Sequence, residues 1–272
     1  MSDARPIGVF DSGIGGLTVL RALRARLPDE NFLYLGDTAR LPYGTKSAAT
    51  VTAYALQASR LLVQRGVKMV VVACNTASSV ALQPLAQNLA PVPLIGVVEP
   101  GARAGVAATR NGHIAVIATE GTVRGGAYMR AIHAVRPGLK ISQAACTLFV
   151  ALAEEGWIDG PIVQGAAKRY LDPLFAGQAD APDTLVLGCT HFPVLAPALA
   201  KLLGPQVRLV DSAQTTAEAV TTELGARGLL RTGKNPGFVN FMVTDSPERF
   251  TRVGPTFFGA PIAPDAVETV DL

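Results

Sequence analysis

Along the chain, short apolar runs bounded by turn residues alternate with helix-length stretches, the pattern of parallel strands buried on both faces by crossover helices. The expected strands are Ile7 to Phe10, Phe32 to Leu35, Met69 to Ala73, Leu94 to Val97, Ile114 to Ala118, Leu185 to Leu187, Val207 to Val210 and Phe238 to Val243. Leu17, Leu20, Leu23 and Leu27 recur at helical spacing, as do Val51, Ala55, Ala58 and Leu62 within Ser47 to Arg65, so both stretches read as crossover helices. The fold class is therefore α/β, with mainly parallel sheets flanked by helices.

The pattern repeats itself. Ile7 to Gly13 and Ile114 to Glu120 are both apolar strands that break into small polar residues, and Val70 to Thr76 and Leu185 to His191 both end on a cysteine, Cys74 and Cys189. The strand starts at 7 and 114 lie 107 apart and the cysteines at 74 and 189 lie 115 apart, which fits one duplicated unit with a modest change of length. Two similar domains follow, with one formed by Met1 to about Gly96 plus about Val210 to Leu272, and the other by the residues between, 97–209. Each would offer its cysteine at the carboxyl end of a strand, where open α/β sheets bind their ligands.

Composition narrows the classes. At 272 residues with 49% hydrophobic and 17% charged, the chain can bury one large core or two smaller ones, and its 27 glycines and 19 prolines form no low-complexity tract. The 24 basic and 21 acidic residues give a charge of +3 with no basic run, so nucleic acid is not the expected partner. The most apolar windows, such as Met69 to Ala73, fall far short of the roughly 20 residues a spanning helix needs, and a cytoplasmic location is expected. Three cysteines far apart with no C-x-x-C pair suggest free thiols rather than disulfides or structural zinc. Cys146 alone reads as a small buried apolar side chain.

The chemistry gathers at the strand ends. A thiol beside helix amides and hydroxyl donors is expected to have a depressed pKa, which makes Cys74 and Cys189 candidate bases or nucleophiles. Asn75, Thr76 and Thr190 bring amide and hydroxyl donors to the same points, either for a carboxylate or enolate or simply as N-caps. His191, two residues past Cys189, forms a Cys/His pair, whereas His113 and His133 suggest no role. Asp11 ends the first strand in the run Asp11-Ser12-Gly13-Ile14-Gly15-Gly16 and reads as a carboxylate that assists Cys74, or as a cap. The glycines miss the dinucleotide fingerprint, because Thr18 stands where the third glycine is required.

The segments Phe10 to Gly16, Gly36-Asp37, Pro42-Tyr43-Gly44, Ala73-Cys74-Asn75-Thr76-Ala77 and Gly188-Cys189-Thr190-His191-Phe192-Pro193 together give the chain a resemblance to glutamate racemases along nearly its whole length. The resemblance implies two pseudo-twofold-related α/β domains with the active site between them. It also implies interconversion of L- and D-glutamate without pyridoxal phosphate or metal, supplying D-glutamate for peptidoglycan, and a homodimer as the expected assembly. By the same resemblance Cys74 deprotonates the D-isomer and Cys189 the L-isomer, assisted by Asp11 and His191. Ser12, Asp37, Pro42, Tyr43, Gly44, Asn75, Thr76, Thr119, Thr122 and Thr190 match positions that hold the substrate. One segment departs from the family: Thr147 and Ala151 stand where prolines are usual, although Phe149, Val150 and Glu154 are kept, and Glu154 matches a carboxylate that supports the histidine.

Racemisation needs a proton removed from one face of Cα and another delivered to the opposite face, which two opposed acid/base groups do without moving the substrate. Three other readings remain at this point: racemisation of a related amino acid such as aspartate, a nicotinamide-dependent oxidoreductase, and a non-catalytic amino-acid binding module.

Overall fold

The first strand, β1 (Ile7–Asp11), pairs in parallel with β2 (Phe32–Gly36) on one side and β3 (Met69–Val72) on the other, and all three are buried along their whole length, as their unbroken apolar runs require. The structure is a computed structural model and describes residues 3–177, 180–233 and 236–272. The remaining strands among these residues are β4 (Leu94–Gly96), β5 (His113–Ala118), β6 (Lys140–Ala145), β7 (Thr184–Gly188), β8 (Arg208–Asp211), β9 (Val239–Val243) and β10 (Val267–Thr269). They form a six-stranded sheet in the order β10-β9-β2-β1-β3-β4 and a four-stranded sheet in the order β6-β5-β7-β8. Every pairing is parallel.

The run β2-β1-β3-β4 in the first sheet is repeated as β6-β5-β7-β8 in the second. The strands that echo each other in sequence therefore hold equivalent places: β1 matches β5, and β3 matches β7. At each crossing the connecting helix packs on the sheet it leads to. The helix Val98–Ala108 follows β4, yet its Val98 and Ala102 join Ile114, Val116 and Val186 from the four-stranded sheet in one apolar cluster. The helix Ala213–Ala226 follows β8, yet its Ala213, Ala217, Val220 and Leu224 enter the cluster of Leu17, Leu20 and Leu23 over the six-stranded sheet.

Both expected crossover helices are present, as Leu17–Arg26 and as Ala48–Gln64, the latter capped by the Ser47 hydroxyl accepting from the Thr50 amide at 3.2 Å. Strand ends move by a residue or so from the sequence reading: Ala73 and Val97 lie just outside β3 and β4, and the run expected from Val207 begins at Arg208. The strands β6 and β10 were not expected. Both are edge strands, and Lys-Ile-Ser-Gln-Ala-Ala in β6 shows no apolar run because it is only half covered. Among the described residues no helix is long and apolar enough to cross a membrane.

Candidate active site

The equivalent strands end in equivalent chemistry. Asp11 is the last residue of β1, Cys74 is the N-cap of the helix Asn75–Val80 after β3, Thr119 is the N-cap of the helix Glu120–Gly125 after β5, and Cys189 directly follows β7. Contacts between the halves concentrate at these ends. The Thr76 hydroxyl lies 3.0 Å from that of Thr119 and 3.3 Å from that of Thr122, the Asn75 amide donates to the Tyr128 hydroxyl at 2.8 Å, and the Thr18 hydroxyl donates to the Thr190 carbonyl at 3.1 Å. The two sheets thus meet carboxyl edge to carboxyl edge, with a buried thiol contributed by each.

Each thiol has its own surroundings. Burial pushes the Cys74 thiol up to about 12, and the Asp11 charge adds to this, while the Ser12 hydroxyl and the Ala77 amide, 3.5 Å from Sγ, only partly offset it. The depressed pKa expected from a helix N-terminus is therefore not realised at Cys74. The helix behind it has six residues, and its amides do not outweigh complete desolvation. Cys189 instead faces an imidazole: its Sγ lies 3.9 Å from His191 Nδ1, and His191 Nε2 lies 3.0 Å from Glu154 Oε1. Burial works against the imidazolium, but the Cys189 sulfur and the Glu154 carboxylate outweigh it and raise His191 to about 10. Burial likewise opposes ionisation of Glu154, yet His191 and Arg249 hold its carboxyl below the usual range. His191 is consequently a cation at neutral pH, next to one thiol, while the other thiol keeps its proton.

Asp11 sits between these systems. Burial raises its pKa, and the His191 charge, followed by the amides of Gly16, Gly13 and Ser12, offsets part of the rise. Its Oδ2 accepts from the Gly13 amide at 3.0 Å, and its Oδ1, like Asn75 Oδ1, is buried without a hydrogen-bond partner.

The glycine turn is shaped for this crowding rather than for a phosphate. A methyl group on Gly15 would run into His191 Nδ1 and come within 2.6 Å of Thr190 Oγ1, and one on Gly16 would lie 2.5 Å from Asp11 Cβ. Gly15→Ala is accordingly expected to displace His191 while leaving the two sheets intact. A loss of activity of about 100-fold with an unchanged thermal midpoint is the expected outcome, and near-normal turnover would show that the close approach of His191 to this turn does not matter.

The structure places the other candidate residues in two groups. Thr76, Thr119, Thr122, Thr190 and Gly44 lie at the junction of the halves, where Gly44 packs directly against Thr119. The Asp37 carboxylate accepts from Arg40 at 2.7 Å, from the Thr244 hydroxyl at 3.0 Å and from the Tyr43 hydroxyl, and Pro42 is exposed at the head of the turn Tyr43–Thr45. That pair secures the turn bearing Gly44. Sequence reasoning missed Tyr128, Arg249 and the bonding role of Thr18, because each matters only through a partner more than 50 residues away. Among the described residues no group of His, Cys, Asp and Glu has the geometry of a metal site.

A family model described as Asp/Glu/Hydantoin racemase matches residues 17–220. A glutamate racemase of Geobacter metallireducens is 49% identical over 255 residues, covering 94% of this chain and 93% of that one. Among solved structures, glutamate racemase from Francisella tularensis in complex with D-glutamate superposes with a TM-score of 0.90 at 38% identity, covering 99% of this chain and 98% of that one. Glutamate racemase from Thermus thermophilus in complex with beta-chloro-D-alanine superposes with a TM-score of 0.87 at 44% identity, covering 100% and 99%.

Proposed function

The chain belongs to the Asp/Glu/hydantoin racemase family, and from that premise we propose that its site interconverts L- and D-glutamate by a two-base mechanism with Cys74 and Cys189 as the bases. The observation that carries this reading is the pair of thiols at equivalent strand ends of facing sheets, one beside His191 and the other within reach of the Asp11 charge.

In the L-to-D direction the Cys189 sulfur, as thiolate, takes the Cα proton, with His191 Nδ1 3.9 Å from that sulfur. The electron pair left on carbon delocalises into the α-carboxylate, where the hydroxyls of Thr76, Thr119, Thr122 and Thr190 are the available donors. The Cys74 thiol then gives its proton to the opposite face. Its high pKa suits that task, because the proton is present before substrate arrives. The step ends with Cys189 as thiol and Cys74 as thiolate, the state that acts on D-glutamate in reverse. Asp11 Oδ1 and Asn75 Oδ1, buried acceptors without partners, supply what a substrate ammonium needs.

The domains in this reading are 1–96 with 210–272, and 97–209, closing on the substrate so that water is excluded from the carbanion. Ser12, Asp37, Pro42, Tyr43 and Gly44 complete the substrate-binding set, and a homodimer is the assembly, to be read as mass in solution by light scattering.

The test is a circular dichroism assay on both enantiomers of glutamate and of aspartate with no added cofactor. The glutamate signal is expected to decay to zero from either side and the aspartate signal to persist. Faster loss of the aspartate signal would move the assignment to aspartate, and turnover only after addition of pyridoxal phosphate would remove the two-base mechanism.

A further inference from the structure

The helix Pro247–Phe258 belongs to the six-stranded half, yet it presents two side chains to the acid/base group of the other half. Arg249 Nη2 lies 2.9 Å from Glu154 Oε2, the oxygen left free by the Glu154 Oε1 contact to His191, and the Phe257 ring meets the His191 ring edge-on, with centroids 5.3 Å apart. The start of this helix is itself anchored. The Thr38 hydroxyl donates to the Asp245 carbonyl at 2.5 Å and accepts from the Asp245 amide at 2.9 Å, and the Thr244 hydroxyl donates to Asp37. The chain Arg249–Glu154–His191–Cys189 is therefore continuous and crosses from one half to the other.

Building on the two-base reading above, we propose that Arg249 is a positioning residue for the Cys189 side of the reaction: by pairing with Glu154 from the opposite half, it fixes the carboxylate that orients His191 and so ties correct placement of His191 to the docking of the two halves. A Glu154 carboxylate held at only one oxygen can rotate about its last torsion, whereas one held at both cannot, and the imidazole follows it. The groups facing His191 are Cys189, Glu154, Asp11 by its charge, Phe257 and the Gly15 turn, and Glu155, 3.9 Å from Arg249, is the only other carboxylate within reach of that guanidinium among the described residues.

The experiment compares Arg249→Met and Arg249→Lys with the wild type and with Arg252→Met, an exposed arginine on the same helix. Arg249→Met is expected to lower kcat/KM about three- to tenfold. The primary isotope effect with Cα-deuterated L-glutamate should rise and that with deuterated D-glutamate should fall, because only the Cys189 step has become slower. Arg249→Lys should restore part of both. Titration of histidine ring resonances should show His191 moved up in Arg249→Met, with His113 and His133 unmoved, since the Glu154 carboxylate is no longer shared with a cation and a like charge near the imidazolium is gone. A fall in rate with both isotope effects unchanged, or an unmoved His191 titration, would overturn the proposal. Should the Met variant fail to fold, Arg249→Gln carries the same readouts. If the wild type does not racemise glutamate, the functional reading fails, and the His191 titration still decides the role of Arg249.

Discussion

Cys74→Ala and Cys189→Ala are each expected to lower racemisation by about 1,000-fold or more in both directions, whereas Cys146→Ala keeps most of the wild-type rate. Inversion needs both faces of Cα, so loss of either thiol stops the overall reaction from either enantiomer. The partial reactions should separate the two. With Cys74 gone, Cys189 can still remove the L-glutamate proton and return one from solvent to the same face, so deuterium enters L-glutamate without inversion. Cys189→Ala should show the converse with D-glutamate. Cys146 shares the apolar cluster of Cys189, and its sulfur lies 3.8 Å from the Ala144 carbonyl, so its replacement costs packing and not chemistry. Mass spectrometry of recovered substrate reads the exchange. Near-normal turnover of either mutant would end the two-base assignment.

The features that were legible in the sequence are those written in contiguous residues. The apolar runs of β1, β3, β5 and β7 announce strands buried on both faces, and the cysteine closing β3 and β7 marks a duplicated unit whose strand order does recur. The edge strands β6 and β10 were illegible because a half-covered or three-residue strand leaves no apolar run to read. Protonation was the least accessible property. The helix amide argument for a depressed thiol pKa used neighbours in the chain, whereas the result at Cys74 is set first by burial, which the whole fold produces, and then by Asp11, 63 positions earlier.

The asymmetry of the two helpers gives the sharpest expectation. Asp11→Asn and His191→Asn should each cost about an order of magnitude in kcat/KM, yet no comparison of kcat/KM between directions can show which half-reaction was injured. The enantiomers have equal free energy in water, so their equilibrium constant is one and kcat/KM must be equal in the two directions for every variant. Isotope effects escape this constraint, because they report which proton transfer limits the rate. His191 pairs with Cys189, so His191→Asn should make the Cys189 step more limiting. The effect with Cα-deuterated L-glutamate then rises towards its intrinsic value, and that with D-glutamate falls towards unity. Asp11 raises the Cys74 thiol through its charge, so Asp11→Asn should alter the Cys74 step and reverse the pattern. The two carboxylates and the imidazole are close enough for the His191 charge to be felt at Asp11, so some crossover is expected in both mutants, smaller than the primary change. If the two mutants moved the L and D isotope effects in the same sense, neither residue would be dedicated to one thiol, and the division of the site into two acid/base systems would have to be abandoned in favour of a single shared network.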